Sequence, residues 1–300
     1  PGRECLQERE FARSGSAPYV AVIPGSEVAS PELGYAIELE LGDGSRKAVF
    51  ASRQRLHRVS VPEPAADARE RVLLARVDGR RSVFAASGDY VDFGTSRATV
   101  ALADGSTVER SLHDRYYRIE GGYTYRPLQT VAEFSLRAGV IRGQSPVPVG
   151  DQDLDSGDDP FEVGLNYGAP SVRFRLHDLV HLEGEFLTSV TEQGFALGAG
   201  TAVLIGDPYD AHLTLGVEVI DTFGTRLFSR LDVVTTERLV VAPVVEVTNM
   251  PHADEFGVRL LCEIRLDLGY GLSVAARGGY QARLATSGGP GIGATLSYAF

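Results

Sequence analysis

The segment Phe256 to Leu268 alternates without a slip. Phe256, Val258, Leu260, Cys262, Ile264, Leu266 and Leu268 share one face of an extended chain, and Gly257, Arg259, Leu261, Glu263, Arg265 and Asp267 share the other. Successive strand side chains point to opposite faces, so a period of two over this length predicts a β-strand with one apolar side. The pattern recurs from Thr130 to the end of the chain, in ten segments: 131–142, 161–176, 179–192, 194–206, 211–222, 225–236, 239–249, 256–268, 272–284 and 291–300. Two are less regular. The segment 161–176 changes phase around Ala169-Pro170-Ser171, which predicts a bulge, and 239–249 is apolar on both faces except for Glu246 and Thr248. No run of about 18 apolar residues occurs, so a membrane-spanning helix is excluded. If this chain crosses a bilayer, only a closed barrel satisfies its backbone hydrogen bonds.

Alternation does not say which face meets water. The polar face narrows the choice, because it is rich in Arg, lacks Lys and nearly balances its signs. A soluble outer surface normally draws on Lys as well, whereas Arg forks paired with carboxylates suit an enclosed polar interior. The expected lumen network is Glu133, Arg137, Arg173, Arg175, Glu183, Glu185, Glu218, Arg226, Arg230, Asp232, Arg259, Glu263, Arg265, Asp267, Arg277 and Arg283. Ten strands enclose little more than side chains fill, so the expectation is a plugged lumen without an open pore. The nearly bare inner face of Ala196, Gly198, Gly200, Ala202, Leu204 and Gly206 leaves room for a narrow water path.

The last ten residues put Ile292, Ala294, Leu296, Tyr298 and Phe300 on one face, opposite Gly291, Gly293, Thr295, Ser297 and Ala299. This segment resembles the closing strand of bacterial outer-membrane β-barrels, a family whose chains typically stop at Phe with another aromatic residue two positions before it. The resemblance implies an all-β fold, an antiparallel transmembrane β-barrel of about ten strands in the bacterial outer membrane. It also implies outer-membrane lipid and the barrel assembly machinery as partners, with Tyr298 and Phe300 as the assembly signal. Residues 291–300 are then expected to close the barrel against 131–142. Short turns at His177-Asp178, 206–210, 236–238 and 269–271 would face the periplasm, and the longer loops 143–160 and 250–255 the outside.

Upstream, residues 1–17 read as a polar tail or linker, and the start at Pro1 fits a processed or trimmed export precursor. Residues 18–125 read as a small β-sandwich-like domain in the periplasm, and 126–300 as the barrel. Three Asp-Gly pairs, at 43–44, 78–79 and 104–105, predict three tight hairpins, since both central residues of such turns need positive φ. The surroundings of the first and third are alike enough to suggest a degenerate duplication. Pro62 to Arg71 predicts a proline-marked turn with one or two helical turns. His113-Asp114 is assigned to a loop and His177-Asp178 to a turn. Cys262 lies on an apolar strand face, which argues against pairing with Cys5.

Net charge is −11, which argues against nucleic acid as a partner. Asp151, Asp153 and Asp155, followed by Asp158 and Asp159, read first as a solvated acidic loop; calcium is the cofactor they would take, although the spacing departs from an EF-hand loop. His181, Glu183 and Glu185 share an inward face at strand spacing compatible with a metal, but nearby Arg residues account for the acids. No catalytic residue set is found, so no enzyme is expected. The expected function is an outer-membrane anchor or scaffold whose periplasmic domain binds an envelope protein or cell-wall component. The alternatives are a small porin-like channel, an omptin-like surface protease using His252 and Asp254 with Asp158 or Asp159, and a soluble all-β binding protein with its faces reversed.

Overall fold

The computed structural model describes residues 7–13, 19–101, 106–145, 162–191, 194–221, 223–284 and 286–300. The chain divides into two compact units, Pro1–Arg71 and Val72–Phe300.

The first unit holds six short strands: β1 (Ala12–Arg13), β2 (Tyr19–Val20), β3 (Glu32–Tyr35), β4 (Ile37–Glu40), β5 (Arg46–Phe50) and β6 (His57–Ser60). They form three two-stranded ladders, β1 with β2, β3 with β6 and β4 with β5. The expected sandwich is therefore not present among the described residues. Strands of two to five residues leave none of their side chains fully buried and enclose too little to build one. A ring cluster of Tyr35, Phe50 and His57, with centroids 5.0–5.7 Å apart, joins the second and third ladders. The first Asp-Gly pair does turn a hairpin, between β4 and β5. Asp43 accepts hydrogen bonds from the Ser45 N–H at 2.9 Å and its hydroxyl at 2.6 Å, and Gly44 takes φ +78°. On the exposed side, Arg46 and Arg53 hold the Glu8 carboxyl at about 2, well below the usual carboxylate range.

The second Asp-Gly pair ends a helix instead. The residues just before it, which a hairpin there would need as a strand, belong to α1 (Ala65–Arg76), whose first turn has Asp67 and whose last has Arg76, both favourable to the helix dipole. Asp78 and Gly79 take φ +51° and +76°, and the Gly79 N–H donates to the Leu74 carbonyl at 2.8 Å. Positive φ terminates a helix as well as it turns a hairpin, so the dipeptide alone does not choose.

The rest is one closed antiparallel barrel of twelve strands: β7 (Ser82–Ala101), β8 (Thr107–Tyr125), β9 (Val131–Gln144), β10 (Glu162–His177), β11 (Val180–Thr191), β12 (Gly194–Gly206), β13 (His212–Ile220), β14 (Gly224–Thr236), β15 (Leu239–Thr248), β16 (Gly257–Gly269), β17 (Leu272–Ala282) and β18 (Gly289–Ala299). Each pairs with the next. The ten expected strands are β9 to β18, each within three residues at either end; the count is nevertheless short by two. Residues 82–125, placed upstream by the sequence pattern, supply β7 and β8. The barrel consequently closes between β18 and β7, from Gly291 opposite Val91 to Ala299 opposite Val83, and not against 131–142. Their weak signal has a physical cause: β7 sets Phe84, Ala86, Gly88 and Tyr90 outward against Val83, Ala85, Ser87, Asp89 and Val91, so the two faces differ little in polarity. The third Asp-Gly pair, with the connection between β7 and β8, lies outside the described residues.

The expected bulge at Ala169-Pro170-Ser171 is also absent. Pairing with β9 runs in one register from Glu162 to Arg173 and shifts only between Arg173 and Phe174. Val163, Leu165, Tyr167, Ala169 and Ser171 are all buried inside the barrel, so the phase never changes. An inward-facing apolar cluster mimicked a change of face.

Polarity is inverted relative to a soluble barrel. Leu260, Ile264 and Leu296 are 59%, 52% and 52% exposed on the outer wall, while Glu246 and Asp232 are each 2% exposed within. A wall of this kind is stable only against hydrocarbon. Tyr298, Phe300, Phe84 and Tyr123 stack along the rim that carries the carboxyl terminus, with successive centroids 5.1–5.9 Å apart, as an interfacial aromatic girdle does. Cys262, opposite Pro243 on this outer wall, is free and exposed, and Cys5 lies outside the described residues. In liposomes a membrane-confined thiol reagent is expected to label Cys262 and a charged water-soluble maleimide to leave it intact; the opposite preference would place this wall in water.

Candidate functional site: the filled lumen

Two kinds of inward side chain fill the barrel. Groups of paired Arg and carboxylate side chains run from near the terminal rim, at Arg173 and Asp232, to within two residues of the outer ends of β13 to β16, at Glu218, Arg226, Glu246 and Arg259. Arg173 on β10 bridges Glu133 on β9 and Glu183 on β11, both at 2.8 Å. Arg137 bridges Glu185 at 2.6 Å and Glu120 at 3.2 Å. Glu218 on β13 receives Arg226 at 2.8 Å and lies 3.7 Å from Arg118, and Arg226 reaches on to Glu246 at 3.6 Å. Arg259 pairs with Glu246 and donates to Gln281 at 3.1 Å. Arg230 joins Asp232 at 2.7 Å and Glu263 at 2.8 Å, Arg265 lies 3.7 Å from Asp232, and Arg277 holds Asp89 at 2.7 Å.

The geometry comes from strand physics. Inward residues recur every second position, and neighbouring strands lie about 4.8 Å apart, so a long Arg reaches acids on the next strand, as Arg173 does, or on the strand beyond it, as Arg137 does. Small residues make the space. At Gly216 on β13 any Cβ would meet the Phe228 ring, which lies across it with the Arg226 guanidinium 5.0 Å away.

On the side of β7 to β11, and beneath the outer loops, the lumen is apolar. Val91, Phe93, Tyr116, Ile141, Val163, Leu165, Tyr167, Ala169, Leu187, Ile220, Phe223 and Met250 form one buried cluster. Phe223 and Met250 come from loops that fold inward, and Phe223 meets Tyr116 edge-on at 5.7 Å. At the terminal rim, Leu128 turns into the barrel to 1% exposure, and Tyr209 lies 5.8 Å from the Arg126 guanidinium. Burial pushes the Tyr209 hydroxyl up to about 12. Beside it, burial raises the Asp207 carboxyl, but hydrogen bonds from Arg76 and the Tyr209 N–H outweigh this and hold it below its usual range.

The expected network residues all lie on inward positions, and most join in the pairs above. Arg283 sits apart, near the outer mouth, paired with Asp114 at 2.6 Å. Arg175 approaches the Leu128 carbonyl at 3.5 Å, and Asp267 accepts from the Gly269 N–H at 2.7 Å near the rim. Asp89, Asp114, Arg118 and Glu120 escape the sequence pattern because β7 and β8 read as part of another domain. Alternation over Asp114, Tyr116, Arg118 and Glu120, against outward Tyr117 and Ile119, was the available signal. His113-Asp114 is thus strand, and Asp114 is fully buried.

Among the described residues, no three His, Cys, Asp or Glu side chains cluster in a way that would hold a metal. Glu183 and Glu185 are taken up by Arg173 and Arg137, and His181 does not join them in a site. Asp151, Asp153, Asp155, Asp158 and Asp159 lie outside the described residues, and with them the calcium loop and the acid partner that His252 and Asp254 would need.

No family model and no curated protein matches this chain. Among solved structures, the KdgM porin in complex with disordered oligogalacturonate is similar at 8% identity, with 72% of this chain and 99% of that one covered and a TM-score of 0.47. The translocator domain of the autotransporter NalP from Neisseria meningitidis is similar at 13% identity, over 78% and 96% of the two chains, with a TM-score of 0.47. The β domain of the Bordetella autotransporter BrkA is similar at 14% identity, over 74% and 100%, with a TM-score of 0.30.

Proposed function

We propose that this chain, whose fold is that of bacterial outer-membrane β-barrels, is a closed membrane anchor that holds its amino-terminal unit on the periplasmic side. The filling of the lumen carries this reading. A twelve-stranded wall is wide enough for a passage, yet its interior is occupied by paired Arg and carboxylate side chains and then by an apolar layer. An ion would have to break a buried pair and pass a largely apolar cluster whose polar neighbours, among them Asp114 and Arg283, are already paired, both costly. The placement of the amino-terminal unit is supported by the short turns and the carboxyl terminus sharing the rim at which Ser82 enters β7, since short turns face the periplasm in such barrels. Its partner is proposed as an envelope protein or cell-wall component, reached through the open edges of its two-stranded ladders.

Planar-bilayer recordings of the purified protein are expected to show no stable large conductance steps. Reproducible large steps would instead support the second reading, a small porin-like channel. One observation favours that alternative: part of the apolar layer comes from loops, and a loop is displaced more readily than a strand.

A further inference from the structure

The connection between β15 and β16 crosses the outer mouth in place of projecting from it. Met250 is 0% exposed and Pro251 and Ala253 are also buried, while Asp254 and Glu255 face out. The segment is tied down at several points. The Thr225 N–H donates to Asn249 Oδ1 at 2.6 Å, the His252 N–H to the Phe223 carbonyl at 2.7 Å, and the Ser145 hydroxyl to the His252 carbonyl at 3.2 Å. His252 takes φ +60°, a left-handed conformation uncommon outside Gly, so surrounding bonds must hold it.

One guanidinium gathers both ends of this segment. Arg283, just beyond β17, donates to the Thr248 carbonyl at 2.8 Å, the Met250 carbonyl at 2.5 Å and the Glu255 carbonyl at 2.7 Å. Its Nε donates to Asp114 Oδ2 on β8 at 2.6 Å, and it lies 4.0 Å from the centroid of the Phe93 ring on β7. A single side chain therefore ties the segment across the mouth to the far wall. The Arg–carboxylate network below does not need it, because its pairs are complete without Arg283.

We propose that residues 249–255 form a strap that closes the outer mouth, and that Arg283 is the latch holding it shut over the apolar layer. The strap opens independently of the polar network, so the two seals are separate, and this holds whether or not the barrel conducts. Each guanidinium bond to a buried carbonyl is charge-assisted and leaves an unpaired acceptor when removed.

The test uses the full chain in liposomes, with Cys5→Ser and Cys262→Ser as background and Met250→Cys as reporter of the strap. A charged water-soluble maleimide is expected to label position 250 slowly when Arg283 is present. With Arg283→Met, which keeps most of the stem and removes every donor, labelling is expected to accelerate about ten-fold or more. Arg283→Lys, which keeps a charge for Asp114 without the fork, is expected to fall between them. A second reporter, Ser171→Cys, at a buried inward position on β10 beside Arg173, is expected to stay slow in all three backgrounds. Equal rates at position 250 with and without Arg283 would overturn the latch. Acceleration at both reporters would overturn the separation of the two seals. Loss of the heat-shifted folded band in both Arg283 variants would show that this residue builds the barrel itself, which also overturns the proposal.

Discussion

Truncating Glu246 to Ala is expected to lower the unfolding free energy of the lipid-inserted barrel by about 3–5 kcal/mol, read from urea titrations in liposomes. Glu246 is 2% exposed and is shared by Arg259 and Arg226. Its loss leaves Arg226 with Glu218, but Arg259, itself buried, keeps only the amide oxygen of Gln281. A buried guanidinium without a carboxylate bears its full desolvation cost. The double replacement Glu246→Leu with Arg259→Met should recover much of the loss, since apolar groups of similar volume remove both charges at once. This comparison separates a dry, paired lumen from a wet one. If the single truncation leaves the transition unmoved, water already solvates these groups and the closed-anchor reading fails with them.

The second large effect is on the outer wall. Ile264→Arg is expected to destabilise the inserted barrel by about 2–4 kcal/mol, the cost of a cation facing lipid near mid-depth. Ile264 lies near the middle of β16 and is 52% exposed, so in a water-soluble protein the same change would be nearly neutral. The inward neighbours Arg259 and Arg265 show that the strand itself accepts Arg on its other face. A heat-modifiable gel shift together with urea midpoints checks the outcome. Unchanged stability in liposomes would mean that the wall does not face hydrocarbon.

These two experiments rest on a polarity that was largely legible in the residues. On β16 the outward row from Val258 to Leu268 and the inward row from Arg259 to Asp267 are separated by chemistry as well as by position, so the faces sort themselves. On β15 they do not: Ala242 and Val244 point inward beside outward Pro243 and Val245, and only Glu246 and Thr248 reveal the inner side. On β7 and β8 the contrast is weaker still, and Gly or Ala stands where lipid would favour Leu. Two strands were lost for that reason, and with them Asp89, Asp114, Arg118 and Glu120. The Asp-Gly pairs failed differently. At residues 43–44 the dipeptide turns a hairpin and at 78–79 it ends a helix, because positive φ is a requirement common to both.

Sequence alone determined the features that period and side-chain chemistry impose: extended strands, one apolar face, an Arg-rich opposite face without Lys, and an aromatic terminal strand. These are local properties, set by the pleat and by which groups tolerate burial. Only the tertiary structure decided the closure of β18 on β7, the count of twelve, the choice of partner for each Arg, and the apolar layer formed by Phe93, Tyr167, Phe223 and Met250. Those depend on pairings between residues as far apart as Asp114 and Arg283, where register and barrel curvature decide which side chains meet.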